Sequence, residues 1–187
     1  MVIYMARHYG KITKQIMVYI ATAGVIALAA TSPSFGIHVF RALLKEPSSR
    51  KKFSQALQRL KQSRLIIVKE KQDGVMLVEL TEKGKRKMRE FQFSDLTLKR
   101  PKIWDGIWRV VIFDIPNKKT GARETFRTKL KNLEFYQLQE SVWVSPYPCQ
   151  PEIEFVIELL GIYRYVNILE AKNIKDDVKL RKYFSLL

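Results

Sequence analysis

One stretch in the first half of this sequence carries side chains suited to hydrogen bonding with nucleic acid. Within residues 49–64 the apolar side chains recur at helical spacing, at Phe53, Ala56, Leu57 and Leu60. The opposite face would present Arg50, Lys51, Lys52, Gln55, Gln58, Arg59 and Gln62. Lys and Arg bind phosphates, whereas Arg with guanine and Gln with adenine form bidentate pairs that read base edges. The pattern predicts either a helix that enters a DNA groove or a solvated helix face.

A second candidate is the carboxylate of Asp114, which lies near the end of the apolar run over residues 107–115. Carboxylate oxygens are ligands that Mg²⁺ accepts, and a bound water can then attack a phosphodiester. The next acidic residue in the chain is Glu124, so one carboxylate would have to suffice for each subunit. Asp114 is therefore a metal-binding or catalytic residue, or it organises the turn before Pro116, or it neutralises Arg109.

The sequence offers little for other kinds of catalysis. Its one cysteine, Cys149, cannot close an intramolecular disulfide, and with His8 and His38 it cannot complete a structural zinc site. Neither histidine falls in the half that holds Cys149, so we expect this cysteine to be a loop or cap residue. Phosphate-binding loops and glycine-rich dinucleotide turns are missing from the sequence. We expect no cofactor, and whether the protein is an enzyme stays open.

The net charge of the sequence indicates which class of partner the protein binds. The 187 residues include 34 Lys plus Arg against 18 Asp plus Glu, a net charge of +16, while 47% hydrophobic residues suffice for a core. Such a field attracts polyanions. The apolar run over residues 16–30 is shorter than the ~20 residues of a membrane span. We therefore expect a buried helix there rather than a leader peptide or a membrane-surface anchor, and a cytoplasmic protein.

The excess charge is unevenly distributed, which predicts two domains. Residues 1–103 hold 21 basic and 7 acidic side chains, whereas residues 104–187 hold 13 and 11. The hydrophobic pattern changes period just before Pro101, which blocks a continuing helix. We place the domains at residues 1–98 and 99–187.

The first domain has the element order of a winged helix-turn-helix. We expect helices over residues 13–30, 33–45 and 49–64, strands over 65–68 and 75–78, and a basic helix over 82–91 that Thr81 caps. The strands flank an Asp-Gly hairpin turn at residues 73–74. In this motif the helix before the hairpin lies in the major groove. Lys69 and Lys71 on the wing would add phosphate contacts.

The second domain reads as a ferredoxin-like βαββαβ unit with an antiparallel sheet, so the fold class is α+β. We expect strands over residues 107–115, 135–139, 141–146 and 164–169, and helices over 120–133 and 151–160. The first of these helices should bury Ala122, Phe126, Leu130 and Leu133 and expose Arg123, Arg127, Lys129 and Lys131. Gly161 should end the second.

Three motifs in this half support a family resemblance. They are residues 104–116 (WDGIWRVVIFDIP), the pair Arg123 and Arg127, and residues 135–144 (FYQLQESVWV). The pattern resembles the central domain of PaaX-type transcriptional repressors and is similar to that of the small CRISPR-associated adaptation endonucleases. The PaaX family also places a winged helix before this domain, so the resemblance covers roughly residues 13–187.

The resemblance implies a homodimer formed through the ferredoxin-like domains, in which each subunit presents a winged helix to double-stranded DNA. A two-fold dimer reads two half-sites spaced by whole helical turns. The expected function is that of a DNA-binding transcriptional regulator, a repressor. The alternative is a metal-dependent nuclease of the CRISPR adaptation type, or a noncatalytic relative, in which Asp114 and its dimer mate would share Mg²⁺.

Two departures from the family pattern bear on this reading. Glu134 stands where these domains usually have a glycine that ends the helix before Phe135, so we expect a strained or differently built helix exit. The sequence ends at Leu187. It lacks the C-terminal helical domain that the resemblance associates with an acyl-CoA effector, so we expect no such sensing, and any other small-molecule effector is unknown.

Overall fold

The computed structural model describes residues 9–23, 26–29, 50–70 and 75–186. The chain divides into one unit that ends at Ser94 and another that begins at Asp95. We number the helices and strands of the described residues in chain order. Among those helices, none is both long enough and apolar enough to cross a membrane.

The N-terminal unit combines helices with a small antiparallel sheet. Its elements are α1 (Lys11–Ala23), β1 (Ile26–Ala29), α2 (Arg50–Gln62), β2 (Ile66–Glu70), β3 (Val75–Leu80) and α3 (Glu82–Asp95). The sheet has the strand order β1-β3-β2. Helices over 49–64 and from residue 82, and the two strands that follow α2, were predicted from sequence and are confirmed to within a few residues.

The predicted first helix over residues 13–30 is wrong in its second part. Helix α1 ends at Ala23, and Ile26–Ala29 form strand β1, in which Ile26 pairs with Val78. An apolar run cannot by itself distinguish a buried helix from a buried strand. Residues 26–29 form a strand because they pair with the edge of β3 that β2 leaves open, which offers hydrogen-bond partners distant in sequence. The predicted helix over 33–45 and the hairpin turn at 73–74 lie outside the described residues.

The core of this unit forms where α1, α2 and α3 meet the sheet. Ile16, Met17 and Ile20 of α1 are buried together with Phe53 and Leu60 of α2. Other buried members are Ala56, Leu65, Ile66, Val78, Met88 and Phe91. This arrangement fixes α2 by its apolar face and leaves its polar face outward.

Helix α3 begins at a well-defined cap, as predicted. The Thr81 hydroxyl accepts a hydrogen bond from the Gly84 N–H at 3.0 Å and donates one to the Arg64 carbonyl at 2.7 Å. A Cβ atom at Gly84 would lie 2.0 Å from the Leu65 carbonyl oxygen, so only glycine permits this close approach. The cap therefore ties α3 to the end of α2.

The C-terminal unit has the βαββαβ order that the sequence predicts. Its elements are β4 (Trp108–Phe113), α4 (Thr120–Asn132), β5 (Tyr136–Gln139), β6 (Val142–Ser145), α5 (Gln150–Leu160) and β7 (Val166–Ala171), followed by α6 (Val178–Tyr183). The sheet order is β5-β6-β4-β7 and every pairing is antiparallel. Gly161 ends α5 with φ 62°, as predicted.

Both faces of this sheet are covered. On one face, Phe113 of β4 packs against Phe126 of α4 with ring centroids 5.2 Å apart. On the other, Trp108, Val110 and Val144 are buried with Leu180 of α6. Sequence analysis missed α6, because a six-residue helix with one fully buried side chain leaves almost no periodic pattern.

One predicted surface residue of α4 is buried. Lys129 was expected to be exposed, yet it is 4% exposed, and its Nζ donates a hydrogen bond to the Leu96 carbonyl at 3.4 Å. Burial lowers the pKa of its ammonium group. The long aliphatic part of lysine can be buried when its tip finds a polar partner, which helical periodicity alone does not reveal.

The end of α4 confirms that the helix exit at Glu134 is strained. Glu134 has φ 61°, the left-handed conformation that favours glycine. The Phe135 N–H donates to the Leu130 carbonyl at 3.0 Å, and the Glu134 N–H donates to the Lys131 carbonyl at 2.9 Å. This is the Schellman arrangement. The Glu134 carboxylate also forms an ion pair with Arg100.

We expect Glu134→Gly to stabilise the C-terminal unit by about 0.5 to 1 kcal/mol. The left-handed conformation costs an L-residue roughly 1 to 2 kcal/mol, and the exposed ion pair returns about 0.2 to 1 kcal/mol. Urea unfolding followed by tryptophan fluorescence measures the change, because all three tryptophans lie in this unit. Arg100→Ala is the control for the ion pair. Gly161→Ala should destabilise the unit, because Gly161 has φ 62°. A lower midpoint for Glu134→Gly would contradict this account.

Candidate nucleic-acid interface and the Asp114 region

Helix α2 is buried on one face and polar on the other. Phe53, Ala56 and Leu60 are at most 5% exposed, and they lie against the core. The exposed side chains include Lys52, Gln55, Gln58, Arg59 and Gln62. The side chains of Arg50 and Lys51 fall outside the description. The structure therefore places five of the seven predicted contact residues of this helix on its exposed side.

The C-terminal end of α2 is anchored to its surroundings by three hydrogen bonds. Arg64 has φ 55°, and the Leu65 N–H donates to the Leu60 carbonyl at 2.9 Å. The Lys83 Nζ donates to the Ser63 carbonyl at 2.9 Å, and the Thr81 hydroxyl donates to Arg64. These bonds fix the direction of α2 relative to the β2–β3 pair. A rigid support of this kind holds the helix backbone from which the exposed side chains project in a fixed position.

The β2–β3 pair carries the one wing lysine whose side chain is described. Lys69 on β2 donates to the Glu79 carboxylate on β3 at 2.9 Å, and its side chain is 55% exposed. Exposed pairs of this kind contribute little, so Lys69 can exchange Glu79 for a phosphate at small cost. Lys71 lies outside the described residues.

The exposed face of α2 has the chemistry of groove recognition. Glutamine offers a donor and an acceptor in one plane, as adenine requires, and arginine offers two donors to guanine. Helix α2 contains no acidic residue, so nothing on this helix repels phosphate. The arrangement can position the helix by charge and read bases by amide and guanidinium groups.

Asp114 lies at the C-terminal end of β4. Its backbone N–H donates to the Tyr165 carbonyl at 2.9 Å, and its side chain is exposed. The proposed neutralisation of Arg109 by Asp114 is wrong. Arg109 pairs instead with Asp105, at 2.6 Å between Nη2 and Oδ2, and its Nε lies 3.6 Å from Glu170.

The residues near Asp114 do not fit a metal ion within one chain. Within the described ranges, no three His, Cys, Asp or Glu side chains come together in a way that could hold a cation. The next charged residues after Asp114 in the sequence are the cations Lys118 and Lys119, and not a second carboxylate. Mg²⁺ requires several hard oxygen ligands, of which Asp114 supplies one. We therefore derive no catalytic step from this residue.

Two arginines of α4 contribute to the family resemblance, Arg123 and Arg127. Both donate hydrogen bonds to nearby residues of the same unit. Arg123 donates through Nη1 to the Asn117 side chain at 3.0 Å. Arg127 donates through Nη2 to the carbonyl and the carboxylate of Glu140, both at 3.0 Å. The first fixes the segment after β4, and the second fixes the β5–β6 hairpin. Both arginines thus serve the fold of this unit.

Cys149 is a structural residue. It occupies the position before α5, where its carbonyl accepts the Ile153 N–H at 2.9 Å, and it is 1% exposed. Burial raises the pKa of its thiol to about 12. A thiol with so high a pKa stays protonated at neutral pH and is a poor nucleophile.

Sequence reasoning missed one cluster of cations. Lys118 and Lys119 follow β4, whereas Arg164 precedes β7, and the antiparallel pairing of these strands brings the two segments together. The only sequence signal was the Lys-Lys pair two residues after Pro116. Pairing between strands more than fifty residues apart supplied the rest.

The architecture defines a class: a two-unit α+β protein that joins a basic helical unit to a βαββαβ unit with an antiparallel sheet. Residues 101–182 match the family model described as the PaaX protein central Cas2-like domain. The C-terminal unit thus contains a region similar to the central domain of PaaX-type proteins.

Two other comparisons add little. The chain is similar to a solved structure of an uncharacterized protein from Mycobacterium tuberculosis, with 17% identity and a TM-score of 0.36. That similarity covers 73% of this chain and 53% of the other, so the chain spans about half the length of that protein. No curated protein matches the chain.

Proposed function

We propose that this protein is a DNA-binding transcriptional regulator, a repressor, that binds double-stranded DNA as a homodimer. The observation that carries the proposal is the exposed face of α2, with Lys52, Gln55, Gln58, Arg59 and Gln62 beside the β2–β3 pair. Groove recognition needs such a combination of fixed amide, guanidinium and ammonium groups on one helix face. The PaaX-type domain supports the same function.

In this proposal the N-terminal unit is a winged helix-turn-helix. Helix α2 would be the recognition helix, and β2 and β3 would be the wing that reaches the phosphate backbone. The pairing of β1 with residues 75–78 of β3 supports this assignment, since it makes the hairpin part of a three-stranded sheet. Arg50, Lys51 and Lys71 would extend the same surface.

The C-terminal unit would be a ferredoxin-like dimerisation domain. Its strand order, with β4 and β6 in the centre, is the order expected for that plan. Two copies related by two-fold symmetry would place two winged helices on half-sites one or more helical turns apart. Binding would occur in the cytoplasm and without a cofactor, and occupation of a promoter site would block transcription.

The test compares two kinds of α2 variant on a duplex selected from a random-sequence pool. Gln55→Ala and Arg59→Ala should each lose about 1 to 3 kcal/mol of discrimination at particular base pairs. Lys52→Ala should weaken binding to all sequences alike, because it contacts only phosphate. Fluorescence anisotropy against the selected duplex and its single-base variants separates the two effects. Equal, sequence-blind losses from all three changes would contradict a recognition helix.

A further inference from the structure

The structure brings two segments of the C-terminal unit together at one end of its sheet. We call this region the cationic corner and define it as residues 114–119 and 161–165. The Asp114 N–H donates to the Tyr165 carbonyl at 2.9 Å, and the Lys119 Nζ donates to the Gly161 carbonyl at 2.7 Å. Both segments are therefore held in register by direct hydrogen bonds.

The corner holds three cations against one carboxylate. The cations are Lys118, Lys119 and Arg164, and the carboxylate is Asp114. Within residues 95–186, Arg164 is the one arginine without a carboxylate in ion-pair range, whereas the others are paired: Arg100, Arg109, Arg123, Arg127 and Arg181. Residues 104–187 hold 13 basic and 11 acidic side chains, and this small net charge conceals a local positive excess at the corner.

The polar contacts of these cations are with neutral groups. Lys119 donates to a backbone carbonyl, and the Arg164 Nε donates to the Tyr163 hydroxyl at 2.8 Å. A carbonyl or hydroxyl orients a cation without cancelling its charge. The corner therefore presents a positive potential to solvent, and the hydrogen bonds hold Lys119 and Arg164 in place.

Two tyrosines lie beside the cations. The Tyr163 ring is 61% exposed, and the Arg164 guanidinium lies 5.5 Å from its centroid. The Lys119 Nζ lies 5.8 Å from the Tyr165 centroid. Cations alternating with an exposed aromatic ring form the surface that single-stranded nucleic acid prefers, since phosphates bind the charges and an unpaired base stacks on the ring.

We propose that the cationic corner is a second nucleic-acid site, which binds the phosphodiester backbone of a single strand without sequence preference. Lys118, Lys119 and Arg164 bind phosphates, and Tyr163 stacks on an unpaired base. This site lies on a different unit from α2 and is additional to the proposed operator binding. It also gives Asp114 a role: its negative charge weakens the attraction of the corner for phosphate.

The first test uses the full chain and a labelled oligothymidine of about 20 nucleotides. The double variant Lys118→Ala with Arg164→Ala should weaken binding roughly tenfold at low salt and reduce the slope of log affinity against log salt by about 1.4, since two phosphate contacts are lost. The matched control is Lys179→Ala with Lys182→Ala, which removes the same charge from exposed positions on α6. Equal losses in the two double variants would overturn the proposal.

The second test separates stacking and charge. Tyr163→Ala should weaken binding to oligothymidine at least about fivefold and leave binding to a duplex unchanged, because paired bases cannot stack on the ring. Asp114→Asn should tighten oligothymidine binding roughly two- to fivefold at low salt, and the gain should disappear at high salt. Asp176→Asn is the control, since Asp176 follows the opposite end of β7.

These outcomes are independent of the operator proposal. If the α2 variants leave duplex recognition intact, the operator proposal fails while the oligothymidine series still tests the corner. If Asp114→Asn weakens binding, or if Tyr163→Ala changes duplex and single strand equally, the corner proposal fails. Cleavage of the oligonucleotide with added Mg²⁺ that Asp114→Asn abolishes would also overturn it, because the carboxylate would then favour rather than oppose binding.

Discussion

Raising the salt concentration from about 50 to about 200 mM should weaken duplex binding by this protein roughly 10³- to 10⁵-fold, provided that the dimer makes ~6 to 10 phosphate contacts. Each contact releases counterions that were condensed on the DNA, and salt reverses this gain. The net charge of +16, concentrated in residues 1–103, provides more cations than the contacts require. Fluorescence anisotropy on one duplex across a salt series measures the slope.

The oligomeric state must be followed in the same buffers. Sedimentation velocity at each salt concentration shows whether the homodimer persists, so that loss of binding is not confused with dissociation of the protein. Lys52→Ala provides a second control, because the loss of one phosphate contact in each subunit should reduce the slope by about 1.8. Binding that is insensitive to salt, by a protein that remains a dimer, would contradict the electrostatic basis of the proposed function.

Replacement of Arg109 should produce the largest loss of stability in the C-terminal unit. The Arg109 side chain is 8% exposed at the start of β4. It donates to both carboxylate oxygens of Asp105, at 2.8 and 2.6 Å, and to the carbonyls of Ile107 and Pro146, at 3.0 and 3.1 Å. One guanidinium thus joins the segment before β4 to the segment after β6.

We expect Arg109→Met to destabilise the unit by about 3 kcal/mol. Loss of one partner of a buried ion pair costs about 3 to 5 kcal/mol, and the lower value applies because Asp105 is 44% exposed and can regain water. Arg109→Lys should destabilise the unit less than Arg109→Met does, because lysine keeps the charge but cannot form the two parallel hydrogen bonds to Asp105. Arg164→Met, at an exposed site, should change stability by less than about 0.5 kcal/mol. Urea unfolding followed by tryptophan fluorescence compares them, and an unchanged midpoint for Arg109→Met would refute the role.

The same pair should contribute to acid sensitivity. The hydrogen bond from Arg109 holds the pKa of the Asp105 carboxyl below its ordinary value. The stabilisation is therefore complete above the unfolded-state pKa of about 4 and is lost as the pH falls through the lower folded-state pKa. Wild type should lose more stability than Arg109→Met between about pH 5 and about pH 2. Parallel pH profiles for the two proteins would argue against the coupling.

The elements that the sequence predicted correctly share one property: their signals are local. The apolar stripe of α2, the Thr81 cap, the alternation of helices and strands after residue 107 and the glycine at 161 each depend on residues within a few positions of one another. The exposed Gln and Arg side chains of α2 could be predicted for the same reason, because a buried stripe determines which face remains outside.

The wrong or missing predictions depend on partners distant in sequence. Residues 26–29 form a strand because they pair with the edge of β3 that β2 leaves open. Lys129 is buried because the Leu96 carbonyl accepts a hydrogen bond from its ammonium group. Helix α6 forms over a sheet face to which all four strands contribute. In each case the local sequence permits more than one outcome, and tertiary contacts select one.

The amino-acid sequence by itself determined the charge, the order of elements and the polar face of α2, because composition and short periodic patterns are properties of the chain. Only the tertiary structure brings the two segments of the cationic corner together. The segments that carry Lys119 and Arg164 are separated by more than forty residues in sequence, and they come together only because β4 and β7 pair antiparallel, with Phe113 opposite Val166. Proximity of that kind arises from strand pairing, and no pattern within either segment encodes it.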